Sequence, residues 1–287
     1  MENSKRWIPG VMAAIAALFG LYLVFIAPGY FDATMDKLII VKTKQATVFS
    51  SGPLTRLFIG SFYSGIEMLA GLGLIVTSFA LYKGKKWAWS MAVLLLAIPA
   101  IGNFYIGLGW LENLKAFPPA YTTFMLSLVA FWAMILLKEN EGKTKVVLFV
   151  IFTLLGMVGA QAFTFFPHAL RVVMKDYGAA LLNPSVSILR HTGPEMLIII
   201  FLVLYAIWAL AERKESGWWV ALIAGLLIAV ASFPVHYLRP SASLVPADTL
   251  EATIFTSAYW MAGAQGVILA VLLLIPFFKN RLYTKAE

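Results

Sequence analysis

Polar residues along this chain come in short bursts, and the stretches between them are almost wholly apolar, beginning with "VMAAIAALFGLYLVFIA" at 11–27. A 19-residue hydropathy window isolates eight such stretches, at about 7–27, 57–81, 87–109, 120–137, 146–166, 194–211, 217–237 and 253–278. Each is long enough, as a helix, to cross a hydrocarbon core of roughly 30 Å. The pattern therefore predicts an all-α, polytopic membrane protein with eight transmembrane helices. Two longer and more polar segments, 28–56 and 167–193, interrupt the otherwise short connections.

The stretches repeat. "SGIEML" at 64–69 returns as "TGPEML" at 192–197, and each is followed by an apolar run, a short basic turn and tryptophans, Trp87 and Trp89 in one case, Trp218 and Trp219 in the other. The order of elements predicts two four-helix repeats, 1–137 and 146–287, joined by the linker "KENEGKTK" at 138–145. Four crossings return the chain to its starting side, so the repeats would be parallel, related by a pseudo-two-fold along the membrane normal. A six-letter match in apolar sequence also arises by chance, which is the alternative. The motif equates Glu67 with Glu195, and aligning the halves sets Tyr63 against His191 and Tyr105 against His236.

Composition agrees: 61% of residues are apolar, 13% are charged and the mean hydropathy is +0.85, whereas soluble domains are about a quarter charged. Basic residues gather in every second loop, with Lys83, Lys85 and Lys86, then Lys138, Lys143 and Lys145, then Arg213 and Lys214. By the positive-inside rule those loops are cytoplasmic, which predicts a cell-membrane protein with both termini in the cytoplasm. The net charge of +8 is then explained by topology and anionic lipid, and nucleic acid is not an expected partner. The chain has no cysteine, which excludes a thiolate-held iron–sulfur cluster, covalent haem and a cysteine nucleophile.

Within such a chain the polar residues are the candidate chemistry. Glu67 shares a helical face with Gly60, Ser64, Gly71 and Ser78, the kind of small-residue face on which membrane helices meet, so its carboxylate is expected to face protein. Both glutamates fall about 25 Å above the inner boundary at 1.5 Å per residue, near the outer headgroups. All three histidines, His168, His191 and His236, fall at the outer end of the second half. His191 and Glu195 are four apart and can share a face. His168, His191, Glu195 and His236 are therefore the candidate ligands of an outer-leaflet iron, copper or zinc site; the alternative is that helix-end imidazoles anchor the interface and bind water. Glu67, Glu195, Asn103 and Arg190 are the candidates for binding a ligand or a proton, with Arg171, Arg190 and Arg239 on the same expected face. Asn103 follows the kink-forming Pro99, while Gln161 and Gln265 read as hydrogen-bonding glue between helices.

At "SGIEMLAGLGLIVTSFALYKGKKWAWSMAVLLLAIP", residues 64–99, the chain resembles the DoxX-type family of four-helix membrane proteins, relatives of the membrane subunit of thiosulfate:quinone oxidoreductases. The resemblance covers about 57–99 and, more weakly, 192–230; Glu67 and, through the repeat, Glu195 match a family position. It implies a membrane subunit of a redox-linked complex, with a quinone as cofactor or substrate and other membrane subunits, or further copies of the chain, as partners. The sequence expectation is an outer-leaflet polar pocket for a quinone-like or other lipophilic ligand. A secondary transporter using paired membrane carboxylates, or a structural scaffold subunit, are the alternatives.

Overall fold

The computed structural model describes residues 7–44, 51–114, 116–138, 141–175, 184–238 and 254–283, and all regular structure among them is helical. In chain order the helices are α1 (Trp7–Phe25), α2 (Ala27–Lys44), α3 (Ser51–Tyr82), α4 (Lys86–Leu114), α5 (Ala120–Leu137), α6 (Gly142–Lys175), α7 (Pro184–Ala211), α8 (Glu215–Leu238), α9 (Ile254–Leu274) and α10 (Pro276–Tyr283). Among the described residues seven helices, α1 and α3 to α8, carry stretches long and apolar enough to span a membrane, and α9 with α10, bent by 78°, makes an eighth if the pair is one span. The sequence predicts that last span unbroken to 278. The break falls at Ile275, because Pro276 supplies no N–H and drives the residue before it out of the helical region.

Helix α2 occupies part of the segment that the sequence leaves as an outside connection. It is not a span. Phe31, Thr34, Met35 and Leu38 are buried at helical spacing while Asp32, Asp36 and Lys37 are exposed, so α2 is an amphipathic helix with one face on the bundle. Its Thr34 hydroxyl accepts the Ala120 N–H at 3.0 Å and thereby caps the start of α5, where helix N–H groups lack partners.

Each half closes on itself. α1 packs on α3, α3 on α4, α4 on α5 and α5 back on α1; likewise α6 packs on α7, α7 on α8, α8 on α9 and α9 on α6. The halves meet where α4 packs on α6 and α7, and α3 and α5 on α6, and one apolar core runs through both. With no hydrophobic drive between helices in lipid, close approach depends on small residues. A Cβ added to Gly20 would lie 2.7 Å from the Gly71 carbonyl oxygen, and one added to Gly225 would lie 2.9 Å from that of Gly266. Phe58, Phe62, Leu69, Val76 and Phe79 meanwhile line the exposed side of α3, the lipid-facing stripe of a membrane helix.

The turns after α3 and α7 are built alike. Gly84 (φ 67°) and Arg213 (φ 59°) hold the left-handed position that ends each helix. Lys85 N–H then donates to Ala80 O at 2.9 Å and Lys214 N–H to Ala209 O at 2.8 Å, a Schellman closure in both cases. Just beyond, Trp89 Nε1 donates to Met134 O at 2.8 Å and Trp218 Nε1 to Leu273 O at 2.8 Å, each satisfying a carbonyl in the last turn of the next span. Lys138 lies 4.5 Å over the Trp89 ring and Lys279 lies 4.4 Å over the Trp218 ring. Burial and the nearby Arg213 lower the pKa of the Lys138 ammonium, with Glu212 opposing. Trp89→Phe and Trp218→Phe are each expected to destabilise by about 1 kcal/mol, the net worth of one hydrogen bond. SDS titration followed by circular dichroism measures both; a loss confined to one would break the equivalence of the two turns.

Candidate functional site

Register, counted back from these turns, decides which polar residues face inward. Leu81, Gly84, Lys85 and Trp89 correspond at constant spacing to Leu210, Arg213, Lys214 and Trp218, and position 67 then falls on 196, not on 195. Burial follows the same register: Gly60, Tyr63, Glu67, Ala70 and Leu74 are buried in α3, and Leu189, Thr192, Met196, Ile199 and Val203 in α7. The six-letter motif thus misaligns the helices by one residue, about 100° of rotation. Glu195 lands where Ile66 lies and is half-buried, while His191 lands where Phe62 lies and is exposed. The pairing of Tyr63 with His191 fails for the same reason, since Thr192 takes the buried position.

Glu67 is turned into protein at 2% exposure, among the buried Tyr63 and Asn103. The Asn103 amide Nδ2 donates to Glu67 Oε1 at 2.5 Å, and is 2.9 Å from Tyr63 Oη and 3.1 Å from the Pro99 carbonyl. The Tyr63 hydroxyl lies 3.4 Å from both Glu67 Oε1 and Pro99 O, so it donates to one or the other. Gly102 makes room for this: a Cβ there would run into the Tyr63 ring. Phe31 of α2 and Phe163 of α6 flank Tyr63, with ring centroids at 6.4 and 5.4 Å. No basic side chain is among the hydrogen-bond partners of Glu67 in the described residues. A buried carboxyl, hydroxyl and amide in contact can hold a proton and hand it between oxygens.

The four residues expected to hold a metal do not form a cluster of three or more. His168 is buried near Tyr259, with ring centroids at 6.2 Å, and His236 lies edge-on to Tyr237 at 5.1 Å. His191 is exposed and Glu195 half-buried. Among the described residues no group of three or more metal-ligating side chains forms. Helix-end depth is readable from sequence, but the side of the helix is not: His168 is buried whereas His191 is exposed. Arg190 is exposed, the side chain of Arg171 is not among those described, and Arg239 lies outside the described residues.

A second feature is a cavity of about 310 Å³ midway along the spans. Ala97, Ala100 and Phe104 of α4, Phe124, Leu128, Phe131 and Trp132 of α5, six residues of α6 from Phe152 to Gln161, and Met261 and Gln265 of α9 line it. Trp132 Nε1 donates to Thr153 Oγ1 at 3.1 Å, which occupies the indole, and Gln161 and Gln265 add two carboxamides to the lining. Gln265 Oε1 is buried and has no hydrogen-bond partner. Met157 and Met261, 41% and 49% exposed, mark the side on which the cavity meets lipid. Both glutamines are legible in sequence as polar residues within spans, but only as helix contacts; the cavity itself leaves no sequence signal, since it is a shortfall of volume shared by four helices. Compared with known proteins, the chain matches no family model, no curated protein and no solved structure.

Proposed function

We propose that this protein is an integral membrane subunit of a redox-linked complex that holds a lipophilic, quinone-like ligand between its two halves. The observation that carries the reading is the mid-span cavity of about 310 Å³, apolar apart from Thr153, Trp132 and two carboxamides. Ligand sites are concave, mostly apolar and few, with a small number of polar groups fixing orientation. The resemblance of residues 64–99 to DoxX-type proteins supplies the quinone class. Having no cysteine, the chain would take electrons from a partner's cofactor, so it should copurify with other subunits from native membranes.

The same proposal takes residues 1–137 and 146–287 as copies of one four-helix unit. Its support is the shared turn, the shared tryptophan-to-carbonyl bond and the shared lysine over the ring. Both termini are assigned to the cytoplasm on the strength of the basic loops; tags at Glu2 and Glu287 should be shielded from impermeant reagent in intact cells, and labelling of either reverses the assignment. A transporter with two paired carboxylates has less support, because Met196, not an acid, occupies the counterpart of Glu67.

Gly156 gives the direct test of the cavity. A Cβ added there meets nothing within 4 Å, and Gly156 lines the cavity, so Gly156→Leu extends a side chain from open space into the cavity volume. Purified protein in nanodiscs is expected to bind decylubiquinone saturably, with affinity reduced tenfold or more in Gly156→Leu, a loss of about 1.4 kcal/mol, at unchanged helicity. Equal affinity in the two proteins, or no saturable binding in either, would discard the cavity as the ligand site.

A further inference from the structure

We infer that the cavity selects a neutral amphiphile with one small hydrogen-bonding head, a hydroxyl or a carbonyl, which Gln161 and Gln265 hold at mid-membrane while its chain leaves between Met157 and Met261. The inference rests on the proposed use of the cavity as a ligand site and goes on to fix the chemistry of the occupant. Three observations carry it.

The lining contains no Asp, Glu, Lys, Arg or His. A carboxylate, phosphate or ammonium head drawn into it would lose its water and gain no counter-ion, the most expensive arrangement a hydrocarbon interior offers. Charged lipids and fatty acid anions are therefore rejected. The polar groups present are all uncharged: Thr153 and Trp132, bonded to each other, and two carboxamides on different helices, α6 and α9. Each carboxamide offers N–H donors and a carbonyl acceptor, and a half-turn of its last torsion exchanges them, so it can meet a hydroxyl or a carbonyl.

Gln265 Oε1 lies buried without a donor. Buried polar atoms are nearly always paired, and an unpaired one calls for an explanation. A headless hydrocarbon would leave that atom as it is; a head that bonds the carboxamide, or lets it turn, relieves it. Finally, Met157 and Met261 border the cavity and are also among the exposed residues of the lipid-facing surface. Methionine is unbranched and adapts its shape to what passes, so access from the bilayer needs no route through water.

Trp132, in the cavity wall, provides the readout through short-range quenching by bromine. The probes are 11-bromoundecanol, 11-bromoundecanoate at alkaline pH and 1-bromododecane, added to the full chain in nanodiscs, with Trp132→Phe subtracted to isolate one indole. The alcohol is expected to quench saturably, about tenfold tighter than either the acid or the alkane. In the Gln161→Leu, Gln265→Leu double variant the alcohol should fall to the level of the alkane, and an unaltered alkane response shows that the variant has folded. If alcohol and alkane bind alike in the unsubstituted protein, or the acid binds as tightly as the alcohol, the head assignment is wrong while the cavity remains a ligand site. If no probe gives saturable quenching that depends on Trp132, the ligand site itself is wrong and the head assignment falls with it.

Discussion

Replacing Gly102 with alanine is expected to lower the stability of the folded protein by about 2 kcal/mol or more, the upper part of the range for forcing extra volume into a packed interior. The new methyl would run into the Tyr63 ring, well inside any tolerable contact. Tyr63 has little space to retreat, since it is buried with Phe31 and Phe163 on its flanks. Its displacement would pull the hydroxyl off Asn103 and away from Glu67, so a packing error becomes a loss of hydrogen bonds. Gly65→Ala is the control, because a Cβ there meets nothing within 4 Å and alanine is the better helix former. SDS unfolding followed by fluorescence separates the two; a Gly102→Ala protein within about 0.5 kcal/mol of the unsubstituted chain would mean that the ring does not rest on Gly102.

The second large effect is expected at Glu67 and is non-additive. Glu67→Met installs the residue that α7 carries at the same distance from its closing turn, Met196. Alone, it leaves the Asn103 amide buried without its carboxylate partner and costs about 1–3 kcal/mol. Asn103→Leu alone strands the Glu67 carboxyl instead, at a similar cost, because a buried polar group loses its donor. Removing both partners together leaves an apolar contact of similar volume and should recover most of the loss. The double-mutant cycle measures a coupling of the order of 1–3 kcal/mol, the range for residues in one hydrogen-bond network. Simple additivity would show that the two side chains do not depend on each other.

Both effects trace to features that the sequence exposes unevenly. The spans themselves are legible because hydropathy averages over some twenty residues and tolerates errors of several positions at each end. Glu67 could be assigned to a protein-facing stripe because Gly60, Gly71 and Ser78 mark that side of the helix over five turns. The facing of Glu195 and His191 could not, because a difference of one residue rotates a side chain by about 100°, and the matching letters outvoted the register set by the turn. "TGPEML" resembles "SGIEML" more closely than the folded helices resemble each other at those letters. Gly102 and Gly156 look alike in sequence, yet one is pressed against a ring and the other borders empty space. Only packing between distant segments separates them. The break at Ile275 was visible as Pro276, but a proline near a helix end can begin a new helix as readily as it ends one.

The walls of the cavity come from both halves, α4 and α5 on one side and α6 and α9 on the other, and mass action turns that placement into a thermodynamic clamp. Whatever binds there binds the joined form and not the separated one, so it raises the cohesion of the seam by RT ln(1 + [L]/Kd), about 2.7 kcal/mol at a hundred times Kd. The coupling is reciprocal: any strain that draws α6 away from α4 loosens the ligand by the same free energy that the ligand contributes to keeping them together. For a molecule dissolved in the bilayer, the governing concentration is the mole fraction in the lipid, and the resistance of this protein to unfolding becomes a property of the membrane that holds it.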